Sequence, residues 1–288
     1  MILGPDRLRV IGNIRSNFER GDFHAKAEFS DPVLSPEESQ KVLDKFVAGR
    51  KSLLFPLKNL AADLMIGVGE KFICNMHTRI VGQEKLKGLQ GGAILTSNHF
   101  SQFDNCVLRH FAIKQGKRRL YVVSQLGNLL LPGLLGFLLT NTDLIPIASD
   151  SFYLRNFFEP EMHKALDKGG YVLIYPEQEM WWGWRRPMPC KRGAYYYACL
   201  FDKPVVSCFV EIRDEKRMDK VPFHKVRYTL HLLGVLYPPK GASPREASVR
   251  MAEADYQMKK AAYENIYGKP IDAPFSSDDI AGWDGSVL

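Results

Sequence analysis

Several features that would place a chain in a familiar class are missing. The five cysteines (Cys74, Cys106, Cys190, Cys199 and Cys208) are odd in number and show no Cys-x-x-Cys spacing. This excludes a disulfide framework and a zinc ribbon, and it leads us to expect a reducing compartment. His24, His77, His110, His163, His224 and His231 show no metal-ligand spacing. No Gly-rich phosphate loop is present, so neither a nucleoside triphosphatase nor a dinucleotide-binding signature can be read. Ser101 lacks the Gly-x-Ser-x-Gly setting of a hydrolase nucleophile. The most apolar stretch, Leu126 to Ile147, is broken by Asn128, Pro132, Asn141 and Asp143, whereas a spanning helix needs about 20 apolar residues. The opening Met1-Ile2-Leu3-Gly4-Pro5-Asp6-Arg7 has neither a charged segment nor a long apolar core, so no secretory signal is expected and a cytoplasmic location is. Internal repeats are not visible.

What is there is ordinary for a folded protein: 45% hydrophobic and 25% charged residues, which argues against disorder. At 288 residues the chain has room for one substantial core with appendages. The net charge of +7 suggests a polyanionic partner: nucleic acid, anionic lipid headgroups or an acidic carrier of substrate. Charge alone does not choose among them, and a solvated basic surface gives the same count.

Short apolar runs alternate with helical stretches. The runs are Ile94 to Thr96, Leu120 to Val123, Leu144 to Ile147, Tyr171 to Tyr175 and Val205 to Val210, with helical candidates near 104–115, 126–139, 151–168 and 191–201. That alternation predicts an α/β fold with a mostly parallel central sheet flanked by helices, plus an N-terminal helical extension. Pro160 is expected to divide the 151–168 stretch into two helices. Val226 to Leu232 alternates like a half-exposed strand, and a last helix is expected over 244–267. Ser35-Pro36-Glu37-Glu38 is a helix start with a capping box. The chain therefore divides into an extension (1–50), an amphipathic helix (51–78), a catalytic domain (79–269) and an acidic, loosely ordered tail (270–288). Residues 51–78 pack on the core or touch a membrane; the apolar spacing of Leu53, Leu57, Leu60, Leu64 and Val68 allows either.

The chemistry centres on Asn98-His99-Phe100-Ser101-Gln102-Phe103-Asp104. Gly92 to Ser97 reads as a buried strand, so His99 falls at a strand's carboxyl end, where open α/β sheets bind ligands. Five residues apart on one helix, His99 and Asp104 would point about 140° away from each other. They meet only if His99 lies in the strand-to-helix turn and Asp104 turns back from the first helical turn. A carboxylate accepting Nδ1–H leaves Nε2 free as a general base. The spacing alone is weak, as any short motif is. A second apolar strand, Gly170 to Tyr175, ends in Pro176-Glu177. Cys106, two residues past Asp104, reads as a small buried hydrophobe rather than a nucleophile.

Taken together, His-x4-Asp at 99–104, Pro176-Glu177 and Lys203-Pro204-Val205-Val206 resemble the three blocks of the glycerolipid acyltransferase family, over roughly residues 75–240. Pro176-Glu177-Gln178-Glu179-Met180-Trp181-Trp182 looks like a branch found among Gram-positive bacteria. The resemblance implies transfer of an acyl group from acyl-coenzyme A or acyl carrier protein to a lysophospholipid such as 1-acylglycerol-3-phosphate, on the inner face of the cell membrane. It implies His99 as base, Asp104 as its partner and Glu177 near the acceptor, with an anionic membrane surface as partner, no nucleic acid and no cofactor or metal. Two family arginines that hold the acceptor phosphate are absent: Gln178, Glu179 and Met180 follow Pro176-Glu177, and the block Thr142 to Ile147 ends without one. Arg185, Arg186, Lys191 and Arg192 are the expected substitutes, arginine being suited to bidentate phosphate recognition. Lys114, Lys117, Arg118 and Arg119 are expected beside the site, receiving coenzyme A phosphates or an acidic carrier protein. Trp181, Trp182 and Trp184 read as an interfacial loop, and Tyr195 to Tyr197 as packing beneath the sheet. A non-catalytic lipid-binding scaffold and an acyl thioesterase remain open as alternatives.

Overall fold

The structure, a computed structural model, describes residues 7–29, 34–73, 78–116 and 119–286, with the backbone alone at 70–73. Cys74, His77, Lys117 and Arg118 lie outside the described residues. The elements run α1 (Arg7–Glu19), α2 (Pro36–Lys51), α3 (Phe55–Ile73), β1 (Arg79–Val81), β2 (Ala93–Thr96), α4 (Asn105–Lys114), β3 (Leu120–Gln125), α5 (Gly133–Asn141), β4 (Leu144–Ile147), α6 (Ser151–Tyr153), α7 (Glu159–Asp167), β5 (Tyr171–Ile174), α8 (Gly193–Leu200), β6 (Val205–Lys220), β7 (Phe223–Leu236) and α9 (Pro244–Tyr267).

Among the described residues, seven strands form one sheet in the order β1-β7-β6-β2-β5-β3-β4. Every neighbouring pair is parallel except β6 and β7, so the sheet is mostly parallel and the fold is α/β, as the alternation predicts. β2 lies between β5 and β6 and all four of its side chains are buried, which is why it reads as an unbroken apolar run rather than an alternating one. Gly92 lets β2 begin there: a Cβ at that position would meet the Leu166 carbonyl oxygen at 2.1 Å.

One face of the sheet packs on α4 through Val107, Leu108 and Phe111. The other packs on α2, α7, α8 and α9 through Leu43, Met162, Tyr195 and Met251. Ser35 and Ser243 each complete a capping box, with Glu38 and Glu246, ahead of a proline in the first turn. These local signals set both starts, and Gly268, left-handed at φ 64, ends α9.

Four expectations are corrected. The described part of the 1–50 extension is not an appendage: Val10, Ile11 and Ile14 of α1 share a third core with Trp181, Trp184, Phe223 and Trp283. The acidic tail is not loose, because Ile280 is fully buried and Asp279 nearly so. Pro160 does not divide its stretch; α6 runs through a π turn (Leu154–Phe158) into α7. The Glu159 N–H reaches back to the Leu154 carbonyl, and the widened turn accommodates a proline that has no N–H to give. The strands near the chain's end are much longer than the apolar runs suggest. Past the other strands β6 continues against β7 alone among the described strands, while the start of β7 also meets the tail at Trp283, and Arg213 to Lys220 carry no buried face and no alternation.

Candidate active site

Parallel strands deliver their carboxyl ends to one edge, and β2 and β5 are adjacent there, with Thr96 level with Ile174. Past β2, Asn98 extends the pairing with its side chain: Nδ2 donates to the Val210 carbonyl at 3.0 Å and Oδ1 accepts from the Val210 N–H at 2.8 Å. This ties the strand's end to β6 and fixes where the next residue emerges.

That residue is His99, whose backbone N–H donates to Glu177 Oε2 at 2.9 Å. Asp104 sits at the start of α4, yet its side chain does not cap the helix; it turns back toward the strand. Its Oδ2 accepts from His99 Nδ1 at 2.8 Å, from the Phe100 N–H at 2.9 Å and from the Ser101 N–H at 3.2 Å. A carboxylate only accepts, so Nδ1 carries the proton and Nε2 has the lone pair. The imidazole is 22% exposed and Asp104 is 2%, so the base is reachable while its partner is sealed. Burial pushes the imidazole pKa down, but Asp104, with help from Glu177 and Glu179, outweighs it and holds the value above that of free histidine.

Tyr175, the residue after β5, completes the cluster. Its ring stacks on His99 at 3.9 Å between centroids and 12° between planes, and its hydroxyl donates to Asp104 Oδ1 at 2.5 Å. Sequence reasoning passes over it, because nothing local says that β5 neighbours β2. Its place one residue before Pro176-Glu177 was the available signal.

Glu177 is placed differently from expectation. It is 1% exposed, and its two oxygens accept from the His99 and Met188 backbone N–H groups, each at 2.9 Å. It therefore clasps the end of β2 to the loop before α8 and does not face an acceptor. Burial raises its pKa to about 7, against the pull of those two hydrogen bonds and of Lys259.

Arg185 and Arg186 are corrected more sharply. Arg186 is 2% exposed and forms a bidentate pair with Asp279, Nε to Oδ1 at 2.8 Å and Nη2 to Oδ2 at 2.6 Å. It also donates to the carbonyls of Ile271, Ala273 and Pro274, so its guanidinium is spent on the tail. Arg185 donates to Asp214 and to the carbonyls of Ile212 and Asp278. Neither offers a phosphate site, because each is enclosed by acceptors of this chain. Lys191 and Arg192 are exposed at the start of α8, and the Lys191 N–H donates to the Pro176 carbonyl at 2.8 Å. Those two remain at the carboxyl edge.

Lys114 and Arg119 are at the wrong edge. Leu120 aligns with Tyr171 and Tyr171 with Ala93, so Arg119 lies level with the start of β2, away from His99, and pairs with Asp143 at 2.8 Å. Trp181 and Trp184 are core residues rather than an interfacial loop, and Trp182 is half-buried with the Arg7 guanidinium 5.0 Å from its ring centroid. Of Tyr195 to Tyr197, Tyr195 is buried beneath the sheet as expected, Tyr197 is half-buried, and Tyr196 is exposed.

Behind β2 lies a second group that sequence reading missed. Asp255 and Lys259 of α9, both fully buried, pair at 2.5 Å; Thr96, Ser207 and Tyr195 donate to Asp255. As an i,i+4 pair of opposite charges they read as a surface ion pair. Among the described residues no group of three or more His, Cys, Asp or Glu side chains can hold a metal ion.

Residues 77–211, which include His99, Asp104, Tyr175 and Glu177, match the family model described as Acyltransferase. No curated protein matches the chain in sequence. Among solved structures, the 1-acyl-sn-glycerophosphate (LPA) acyltransferase PlsC from Thermotoga maritima is similar at 14% identity and a TM-score of 0.47, covering 91% of this chain and 97% of that one. Nothing about activity follows from so distant a likeness.

Proposed function

We propose that the protein is an O-acyltransferase that moves a fatty acyl group from a thioester, acyl-coenzyme A or acyl carrier protein, to the hydroxyl of a lysophospholipid such as 1-acylglycerol-3-phosphate. The observation that carries this is the partly exposed imidazole of His99, set in its tautomer by the sealed Asp104 within the segment that matches the Acyltransferase model. Nε2 takes the hydroxyl proton as the oxygen attacks the thioester carbonyl. The tetrahedral intermediate then collapses, the C–S bond breaks, and the imidazolium returns the proton to the leaving thiolate. Asp104 stabilises the imidazolium without taking its proton. No acyl-enzyme is needed.

Lys191 and Arg192 are the cations we assign to the acceptor's phosphate, being exposed at the edge where His99 opens. The enzyme works as a peripheral protein on the inner face of the cell membrane. Leu57, Leu60, Leu64 and Val68 of α3 point outward, each more than half exposed, and Asn59 and Ala62 face in. An apolar stripe of that kind suits the headgroup–acyl boundary of a bilayer. No single described helix is long and apolar enough to cross a membrane, while α2 and the part of α3 to Gly69 meet at a 99° bend.

The test is thiol release from acyl-coenzyme A and acyl carrier protein, with and without a panel of lysolipids, for wild type and His99→Ala. Acceptor-dependent release that falls by about 10³-fold or more in the variant is the expected result. Release without acceptor would make the protein a thioesterase, and no release from any donor would make it a lipid-binding scaffold.

A further inference from the structure

Tyr175 is in contact with both members of the proposed pair, and packing alone does not require its hydroxyl. We infer that Tyr175 is the positioning residue of the His99–Asp104 pair, its ring setting the plane of the imidazole and its hydroxyl setting the carboxylate that keeps the proton on Nδ1. The inference rests on the reading of His99 as a general base.

The two oxygens of Asp104 are held by different means. Oδ2 has three donors, of which two are backbone N–H groups fixed by the turn. Oδ1 has one partner among the described residues, the phenol of Tyr175. Asp104 is almost fully enclosed, so water cannot replace a lost donor at Oδ1. Without the phenol, the carboxylate holds its charge less well and attracts the shared proton more strongly. The imidazole beside it then becomes more basic and releases its proton less readily.

The ring makes a second, separable contribution. A nearly parallel stack at 3.9 Å blocks rotation of the imidazole about its bond to Cβ, the motion that would carry Nδ1 away from Oδ2. Other groups act on this centre too: Cys106 from α4, and Glu177 and Glu179 from the loop after β5. None of these is altered by removing one phenolic oxygen. The phenol itself is held well above its usual range, by burial first and by Asp104 next, so it stays a donor at every pH of interest.

The test compares Tyr175→Phe, which keeps the stack and loses the hydroxyl, with Tyr175→Leu, which loses both. In Tyr175→Phe, the acid limb of the kcat/KM profile is expected to move up by about half to one pH unit, and kcat at neutral pH to fall about tenfold. KM for donor and acceptor should stay within about twofold, since the phenol touches the pair and not the substrates. Tyr175→Leu should shift the limb the same way and lose about 100-fold in kcat. A parallel NMR titration of the His99 imidazole, without substrate, should show the same upward shift in Tyr175→Phe. A wild-type imidazole titration in a Tyr175→Phe protein that melts like wild type would overturn the inference. If the imidazole shifts but no variant or wild type transfers acyl groups, the positioning role stands and the acyltransferase reading falls instead.

Discussion

Two histidine–carboxylate pairs occur in this fold, and they resemble each other closely in distance and exposure. His99 Nδ1 and Asp104 Oδ2 are 2.8 Å apart; His231 Nε2 and Glu211 Oε2 are 2.7 Å apart. Both imidazoles are 22% exposed and both carboxylates nearly sealed, so burial does not separate them. What differs is the grip on the acid. Asp104 is held by backbone N–H groups and a phenol, which leave its negative charge to the imidazole. Glu211 is also gripped by the Arg213 guanidinium. Burial pushes Glu211 up, but the bonds from Arg213 and His231 outweigh it and hold its carboxyl below the usual range. The surroundings differ as well: His231 is mid-strand, between Val81 and Phe209, whereas His99 follows a strand's carboxyl end. On the function proposed above, the pair at His99 can serve as a base because no guanidinium neutralises its carboxylate and its imidazole follows a strand's carboxyl end, where open α/β sheets bind ligands.

The largest test of that contrast is Asp104→Asn. An amide presenting N–H₂ to Nδ1 forces the other tautomer, so kcat should fall about 10³–10⁴-fold with binding little changed. A loss below about tenfold would break the comparison, because Asp104 would then matter no more than Glu211. Next comes a closed pair at the tail, Arg186 with Asp279. Arg186→Ala leaves Asp279 buried without its bidentate partner, and we expect a loss of about 3–5 kcal/mol in urea unfolding with acceptor KM unchanged where the protein remains folded. A raised KM at wild-type stability would return Arg186 to the phosphate. The smallest effect belongs to His231→Ala, which should leave kcat within about twofold of wild type. A loss comparable to that of His99→Ala would erase the distinction between the two pairs.

Much of the fold was legible because its signals are local. The capping box at Ser35 places one helix start, and the apolar runs that begin at 94, 144 and 171 fall on strands. In the site, the turn that brings Asp104 back to His99 is argued from the place of His99 at a strand's carboxyl end and from the second strand end at Pro176-Glu177, the spacing alone being weak. The basic residues could not be sorted this way. Arg185 and Arg186 look available in the sequence, and only the folded tail shows Asp279 and the carbonyls of 271–274 already holding Arg186. Arg119 is close to Asp104 along the chain, but α4 carries the chain to the opposite edge of the sheet before β3 begins.

The sequence by itself determined the strand-to-helix turn, the pairing of His99 with Asp104 and the parallel character of the sheet. Each depends on periodicity, capping or a spacing of a few residues, which the chain carries wherever it folds. The tertiary structure decided which strand lies beside β2, and so brought Tyr175 and Glu177 to His99. It also decided which charges stay open, Lys191 and Arg192, and which are consumed, Arg185, Arg186 and Lys259. The reason is that a side chain's partner depends on the order of strands across the sheet and on the path of the tail, and hydrogen bonds and ion pairs form between residues that are far apart in the chain.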